Sequence, residues 1–160
     1  MLLFLDIDGV MVPAKSWQRP TLLEDGFPEF SPKAVAVLQK IISKDTFVIL
    51  TTSHRSRYTL NEWKRILSRR GIQVKNLSRL RSYKNKLSRK DELLRRFNNN
   101  IVSDDVVIID DDKSLNDLPI NLKERLVQTQ SFIGLTESHE QKLKELLNGN
   151  KSVSVPANVI

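Results

Sequence analysis

The sequence predicts an α/β fold: a mainly parallel sheet covered by helices on both faces, in three layers. Three observations carry this. Three short runs, Met1–Leu5, Thr46–Leu50 and Val106–Ile109, are continuously apolar instead of alternating, which is how strands buried on both faces read. Amphipathic helical stretches lie between the runs, as parallel pairing requires. Each run also stops at polar residues: Asp6 and Asp8, then Thr51, Thr52 and Ser53, then Asp110, Asp111 and Asp112. In an open parallel sheet, ligands bind at the carboxyl ends of the strands.

The elements come in order along the chain. Residues 9–30 hold Gly9, Pro13, Pro20, Gly26 and Pro28, a loop composition with room for a short hairpin. Ser31-Pro32 opens a helix, since Ser caps and Pro suits the first helical position; Val35, Leu38, Ile41 and Ile42 are its apolar stripe. Residues 59–70 form a second helix through Leu60, Trp63, Ile66 and Leu67, stopped by Gly71. Ile72–Val74 is expected as a short strand and 75–88 as a basic loop. A third helix spans Ser88–Phe97 with Leu93, Leu94 and Phe97 inward, and Asn98–Asn100 is a turn. Arg125–Gln128 is the last strand, and a terminal helix from Thr136 carries Leu143, Leu146 and Leu147 up to Gly149. One domain over 1–148 and a loose polar tail over 149–160 complete the reading.

Composition narrows the chemistry. The 160 residues contain no cysteine, which removes disulfides, thiolate metal sites and cysteine nucleophiles. Only two histidines are present, which argues against a histidine-rich zinc centre. No apolar run is long enough to cross a membrane and none reads as a signal peptide, so no membrane partner and a cytoplasmic location are expected. The net charge of +7 is uneven: His54–Arg96 holds 15 Lys or Arg against 3 acidic residues. Such a block attracts polyanions, nucleic acid first, and reads equally as a solvated face that aids solubility.

The strand ends set the reaction class. Asp6, Asp8, Asp110 and Asp111 at one sheet edge cannot all ionise without a counter-charge. Mg²⁺ is the natural one, because it prefers carboxylate, water and phosphate oxygens. Hydroxyls at Thr51 and Thr52 suit phosphate oxygens. Metal, phosphate cradle and carboxylate nucleophile together describe phosphoryl transfer through an aspartyl-phosphate. Asp112 has no role in this scheme beyond capping the next turn of chain.

These residues resemble the motifs of the haloacid dehalogenase (HAD) superfamily. Phe4-Leu5-Asp6-Ile7-Asp8-Gly9-Val10 is similar to its first motif, Val48-Ile49-Leu50-Thr51 to its second, and Val106 to Asp111 to its fourth. The resemblance implies a Rossmannoid HAD-like fold with Asp6 as nucleophile and Asp8 as general acid and then base. It implies Mg²⁺ held by Asp6, the Asp8 carbonyl and Asp111 with Asp110 close by, and Thr51 on the transferring phosphoryl group. The third-motif cation is expected at Lys90, with Lys86 and Arg89 as close seconds. Ser88 to Glu92 is also similar to phage-type polynucleotide kinase–phosphatases, an alignment that would put Arg95 at the lysine position. Arg55, just after Thr51-Thr52, is expected to fork onto phosphate. His54 stands where the family suggests Trp and reads as an ordinary polar loop residue.

Neither interval between motifs has room for a large cap domain, so the cleft should be open and suited to a macromolecular phosphate. Arg125 to Thr129 followed by Gly134-Leu135-Thr136 looks like the closing motif of small capless HAD domains of Swiss Army knife RNA repair proteins. That resemblance implies a Mg²⁺-dependent phosphatase for RNA or DNA ends, working in company with other nucleic-acid repair enzymes. Two alternatives stand beside it: a phosphatase of small esters or nucleotides, and a nucleic-acid-binding module with a vestigial site.

Overall fold

The computed structural model describes residues 1–98 and 105–149. The expected tail over 150–160, and the part of the expected turn at 99–100, lie outside the described residues. Five parallel strands, β1 (Leu2–Leu5), β2 (Phe47–Leu50), β3 (Asn76–Arg79), β4 (Val106–Asp110) and β5 (Leu126–Gln128), form one sheet in the order β3-β2-β1-β4-β5. Between them run α1 (Pro32–Ile41), α2 (Leu60–Arg69), α3 (Arg89–Phe97) and the short α4 (Ile120–Lys123), and α5 (Glu140–Gly149) closes the described chain. The three-layer α/β expectation holds.

The layers arise from the pleat, which sends successive side chains to opposite faces. Leu3 and Leu5 of β1, Val48 and Leu50 of β2, and Val107 and Ile109 of β4 enter one core with Val37, Leu38, Trp63, Leu67, Leu143 and Leu146. Phe4, Ile49, Val106 and Ile108 enter the other with Leu93, Leu115 and Leu122. The three central strands are therefore apolar throughout because both faces are covered. A fully buried Leu or Phe contributes about 1.5–3 kcal/mol relative to exposure, so these strand ends are set in a stiff frame.

The helix starts obey local rules. Thr59 and Glu62 form a reciprocal capping box at the start of α2, and the Ser88 hydroxyl accepts the Asp91 amide at the start of α3. Ser31 occupies the cap of α1 without a side-chain bond, and Pro32 takes the first helical position. The buried stripe of α1 is Ala34, Val37 and Leu38, with Val35, Ile41 and Ile42 only partly covered.

Three expectations need correction. Ile72–Val74 is not a strand; β3 falls at Asn76–Arg79, inside the stretch expected to be loop. It is an edge strand bonded only to β2 among the described residues, so a single buried side chain, Leu77, suffices, and no apolar run marks it. The terminal helix starts late: Glu137–His139 is a 3-10 turn before α5. A second 3-10 turn, Lys113–Asp117, precedes α4, and neither was visible in the sequence pattern.

No cap interrupts the sheet edge among the described residues. The segment between β1 and α1 carries only isolated bridges, Asp8 with Val12 and Leu22 with Pro28. It is anchored by Arg70, whose five N–H donors all find acceptors: Pro28 O, Phe27 O, Ile66 O and both oxygens of Asp25. A buried guanidinium is tolerated because every donor is satisfied. No described helix is long and apolar enough to cross a membrane.

The forked Arg70 bond outweighs the opposing cost of burial and lowers the Asp25 carboxyl to about 2. Its folded value lies below its unfolded one, so it stabilises above about pH 4, with the effect lost as pH falls toward 2. Asp25→Asn should therefore cost about 1 kcal/mol at pH 7, after allowance for solvent screening, and lose that effect as pH falls through about 2. Denaturant melts of both proteins across that range measure the difference; a pH-independent gap would contradict it.

Candidate active site

β1 and β4 are neighbours in register, Leu5 opposite Ile109, and the Asp6 amide donates to the Ile109 carbonyl at 3.0 Å. That register places Asp6, Asp110 and Asp111 at one spot, with one carboxylate oxygen from each within 4.8 Å of the others. Asp6 and Asp110 are buried, Asp111 partly so. The Ile7 amide donates to Asp6 Oδ1 at 2.8 Å and holds that carboxylate in one orientation.

Among the described residues, the cation that reaches into the cluster is Arg89. Its Nη1 donates to Asp110 Oδ2 at 2.5 Å and to Thr51 Oγ1 at 3.0 Å, and lies 3.7 Å from Asp6 Oδ1. Thr51, fully buried at the end of β2, donates its own hydroxyl toward Asp110 Oδ2 at 3.3 Å. Burial, then the nearby Asp110, push the Asp6 carboxyl well above the usual carboxylate range, and Arg89 only partly offsets them. Burial likewise raises Asp110 against the pull of Arg89. Burial disfavours the charge on Arg89 itself, but Asp110, Asp6 and Glu92 outweigh it and raise its value further.

Three carboxylates against one guanidinium leave two negative charges, the amount a divalent cation cancels. The donor set suits a hard ion: carboxylate oxygens only, closely grouped and partly open to water.

Gly9 is required where it stands. Its φ is +76°, and a Cβ there would lie 2.0 Å from Asp111 Oδ2. Any side chain would add about 1–2 kcal/mol of left-handed strain and displace the carboxylate. The loop carrying Asp8 and Gly9 is tied down from the far end of the chain. Thr129 Oγ1 donates to the Gly9 carbonyl at 2.7 Å, and the Leu135 amide donates to the Val10 carbonyl at 2.8 Å. Gly134, at φ +78°, passes so near the Val10 carbonyl that a Cβ would lie 2.6 Å from its oxygen.

The sequence-expected residues divide into three groups. Asp6, Thr51, Arg89, Asp110 and Asp111 come together. Asp8 stands at the rim, half exposed, with its Oδ2 2.9 Å from His54 Nε2. The others lie elsewhere. Lys90 leaves α3 roughly 100° around the axis from Arg89, and its backbone amide donates to Ser114. Arg55 does not point at the cluster. Its five donors go to Leu80 O, Thr51 O, Thr52 O, Arg81 O and Glu92 Oε2, so it buttresses the turn after β2. Thr52 is buried in that turn, its hydroxyl accepting the His54 amide. Asp112 caps the Lys113–Asp117 turn through the Ser114 amide. Arg95 lies 4.7 Å over the Tyr83 ring.

An open groove of about 560 Å³ leads from the cluster, lined by Arg89, Asp112, Ser53 and the loop Ser82–Ser88, including Tyr83, Lys84 and Lys86. Sequence reasoning missed Tyr83, Thr129 and the contact between His54 and Asp8. Of these, only Thr129 carried a signal, through its place in the closing motif.

A family model described as "HAD domain in Swiss Army Knife RNA repair proteins" matches residues 2–139. No curated protein and no solved structure matches the chain.

Because the folded-state value of Asp6 is raised, its charge destabilises the metal-free fold once pH rises above the usual carboxylate range. Asp6→Asn should therefore melt higher than wild type at pH 7 without metal. Millimolar Mg²⁺ should raise the wild-type midpoint and leave that of Asp6→Asn within about a degree. Scanning fluorimetry with Mg²⁺ and with EDTA reads both; an equal Mg²⁺ response in the two proteins would contradict the assigned cluster.

Proposed function

The chain belongs to the family of HAD domains in Swiss Army Knife RNA repair proteins, and from that premise we propose that it is a Mg²⁺-dependent phosphomonoesterase acting on nucleic-acid ends through an aspartyl-phosphate on Asp6. The observation that carries this reading is the buried Asp6 set against Arg89, within 4.8 Å of the Asp110 and Asp111 oxygens.

In this mechanism an Asp6 oxygen attacks phosphorus, and the bond from phosphorus to the leaving oxygen breaks. Asp8 gives that oxygen a proton. Asp8 then takes a proton from a water that attacks the same phosphorus, and phosphate leaves as Asp6 is restored. Asp6, Asp111, Asp110 and the Asp8 carbonyl would hold Mg²⁺, which when bound supplies positive charge to the phosphoryl oxygens. Arg89 takes the charge-neutralising place for which Lys90 was the first expectation; its fork suits phosphate oxygens. Thr51 bonds to both Arg89 and Asp110, which supports a role for its hydroxyl beside the phosphoryl group.

The substrate class rests on the groove. It opens without a cap and is flanked by Lys84, Lys86 and the Tyr83 ring, over which Arg81 and Arg95 lie at 5.5 and 4.7 Å. Cations spaced along a trench match a phosphodiester chain. Arg79, though basic, is tied to the Arg55 and Tyr58 carbonyls and is left out of this surface.

The test is a panel of 3′- and 5′-phosphorylated RNA and DNA oligonucleotides, nucleotides and sugar phosphates, assayed for phosphate release with Mg²⁺ and with EDTA. Oligonucleotides should be the best substrates, with turnover abolished by EDTA. Reversal of Arg81, Lys84 and Lys86 to Glu should raise the oligonucleotide KM at least about tenfold at low salt and flatten its salt dependence. An unchanged KM returns the loop to a solvated surface, and preference for a small ester would contradict the substrate class.

A further inference from the structure

His54 makes a contact that the phosphatase mechanism does not use. Its Nε2 lies 2.9 Å from Asp8 Oδ2. The histidine is held there on several sides. Its amide donates to Thr52 Oγ1 at 3.2 Å, and its carbonyl accepts the Arg57 amide at 2.9 Å. Its ring stands edge-on to Phe27, with centroids 6.4 Å apart and planes at 89°. Phe27 is itself buried, packed against Tyr58 and Trp63 and lying under Arg70. The imidazole is thus fixed to the turn after β2 and to an aromatic cluster. Both side chains are partly exposed, but Asp8 sits on a loop where a carboxylate left alone samples several rotamers.

We propose that His54 is a positioning residue for Asp8: Nε2–H donates to Oδ2, fixes the carboxyl plane, and leaves Oδ1 as the oxygen that carries the proton. The proposal rests on the reading of Asp8 as the acid. In the first step the bond from Asp6 to phosphorus forms while the bond from phosphorus to the leaving oxygen breaks, and that oxygen takes the proton from Asp8 Oδ1. A loosely held acid loses rate at this step alone, because proton delivery depends on sub-ångström placement. As a plain ion pair at this exposure, the contact would contribute little to stability.

Leaving-group dependence separates the two roles. The ratio kcat/KM reports steps up to departure of the leaving oxygen, so later hydrolysis does not enter. A phosphorylated oligonucleotide end has an alkoxide leaving group that needs a proton; p-nitrophenyl phosphate has a phenolate that does not. His54→Ala should cut kcat/KM on the oligonucleotide by about tenfold or more, a fraction of what general acid catalysis supplies, and on the aryl ester by less than about threefold. His54→Gln, whose amide nitrogen can donate to Oδ2, should recover most of the oligonucleotide rate. Equal losses on both esters, no loss on either, or no rescue by Gln in a protein that melts like wild type would each overturn the proposal. A merely structural role, or partial unfolding of the Ala variant, lowers both esters alike. If wild type itself turns over neither ester with Mg²⁺, the phosphatase reading fails first and takes this proposal with it, an outcome distinct from any variant result.

Discussion

Two buried carboxylates that the sheet forces together are the constraint on which this structure turns. Because β1 and β4 are parallel and in register, Asp6 and Asp110 cannot be separated without breaking the ladder between them. Their mutual repulsion and loss of water are unfavourable, and the compensations are visible around them. Arg89 is inserted between them, Thr51 shares Asp110 with it, and the Ile7 and Asp112 amides each donate to one carboxylate. With Asp111 added, the charge these groups leave uncancelled matches a divalent ion. The same excess charge that destabilises the cluster is what suits it to a divalent cation, a familiar exchange of stability for function.

The remainder of the chain serves that spot from a distance. Thr129 and Leu135, late in the sequence, grip the carbonyls of Gly9 and Val10, so the last strand and the turn after it hold the loop that comes after Asp6. Arg55 and Arg70 use buried guanidiniums as struts, one bracing the turn that presents Thr51 and Thr52, the other pinning the segment between β1 and α1. Through Phe27 that segment reaches His54 and, beyond it, Asp8. Part of the basic block is therefore structural, while Lys84 and Lys86 stand exposed on the loop beside Tyr83.

Range decides which features could be read from the sequence. The central strands and the acidic residues at their ends are local signals: an apolar run must be buried, and the polar residues next to it in the chain must emerge at the edge. Asp6, Thr51, Asp110 and Asp111 were legible for that reason. The choice among Lys86, Arg89, Lys90 and Arg95 was not, because four cations on one helix and its approach differ only in azimuth, and azimuth is decided by how α3 packs on the sheet through Leu93. Arg55 looked like a phosphate ligand because it follows Thr51 and Thr52, yet the carbonyls of Leu80 and Arg81, supplied by a later segment, claim it. β3 escaped notice because an edge strand needs only Leu77 buried. The meeting of His54 with Asp8 joins two loops across β1 and β2, a contact that composition cannot signal.

The central claim is that Asp6 itself becomes phosphorylated. Borohydride added during turnover of a phosphorylated oligonucleotide with Mg²⁺ reduces an acyl phosphate to the alcohol, and peptide mass mapping locates the site. The account predicts homoserine at position 6, dependent on both substrate and Mg²⁺. Steady phosphate release with position 6 unmodified, or with the reduction at Asp8, Asp110 or Asp111 instead, would contradict it.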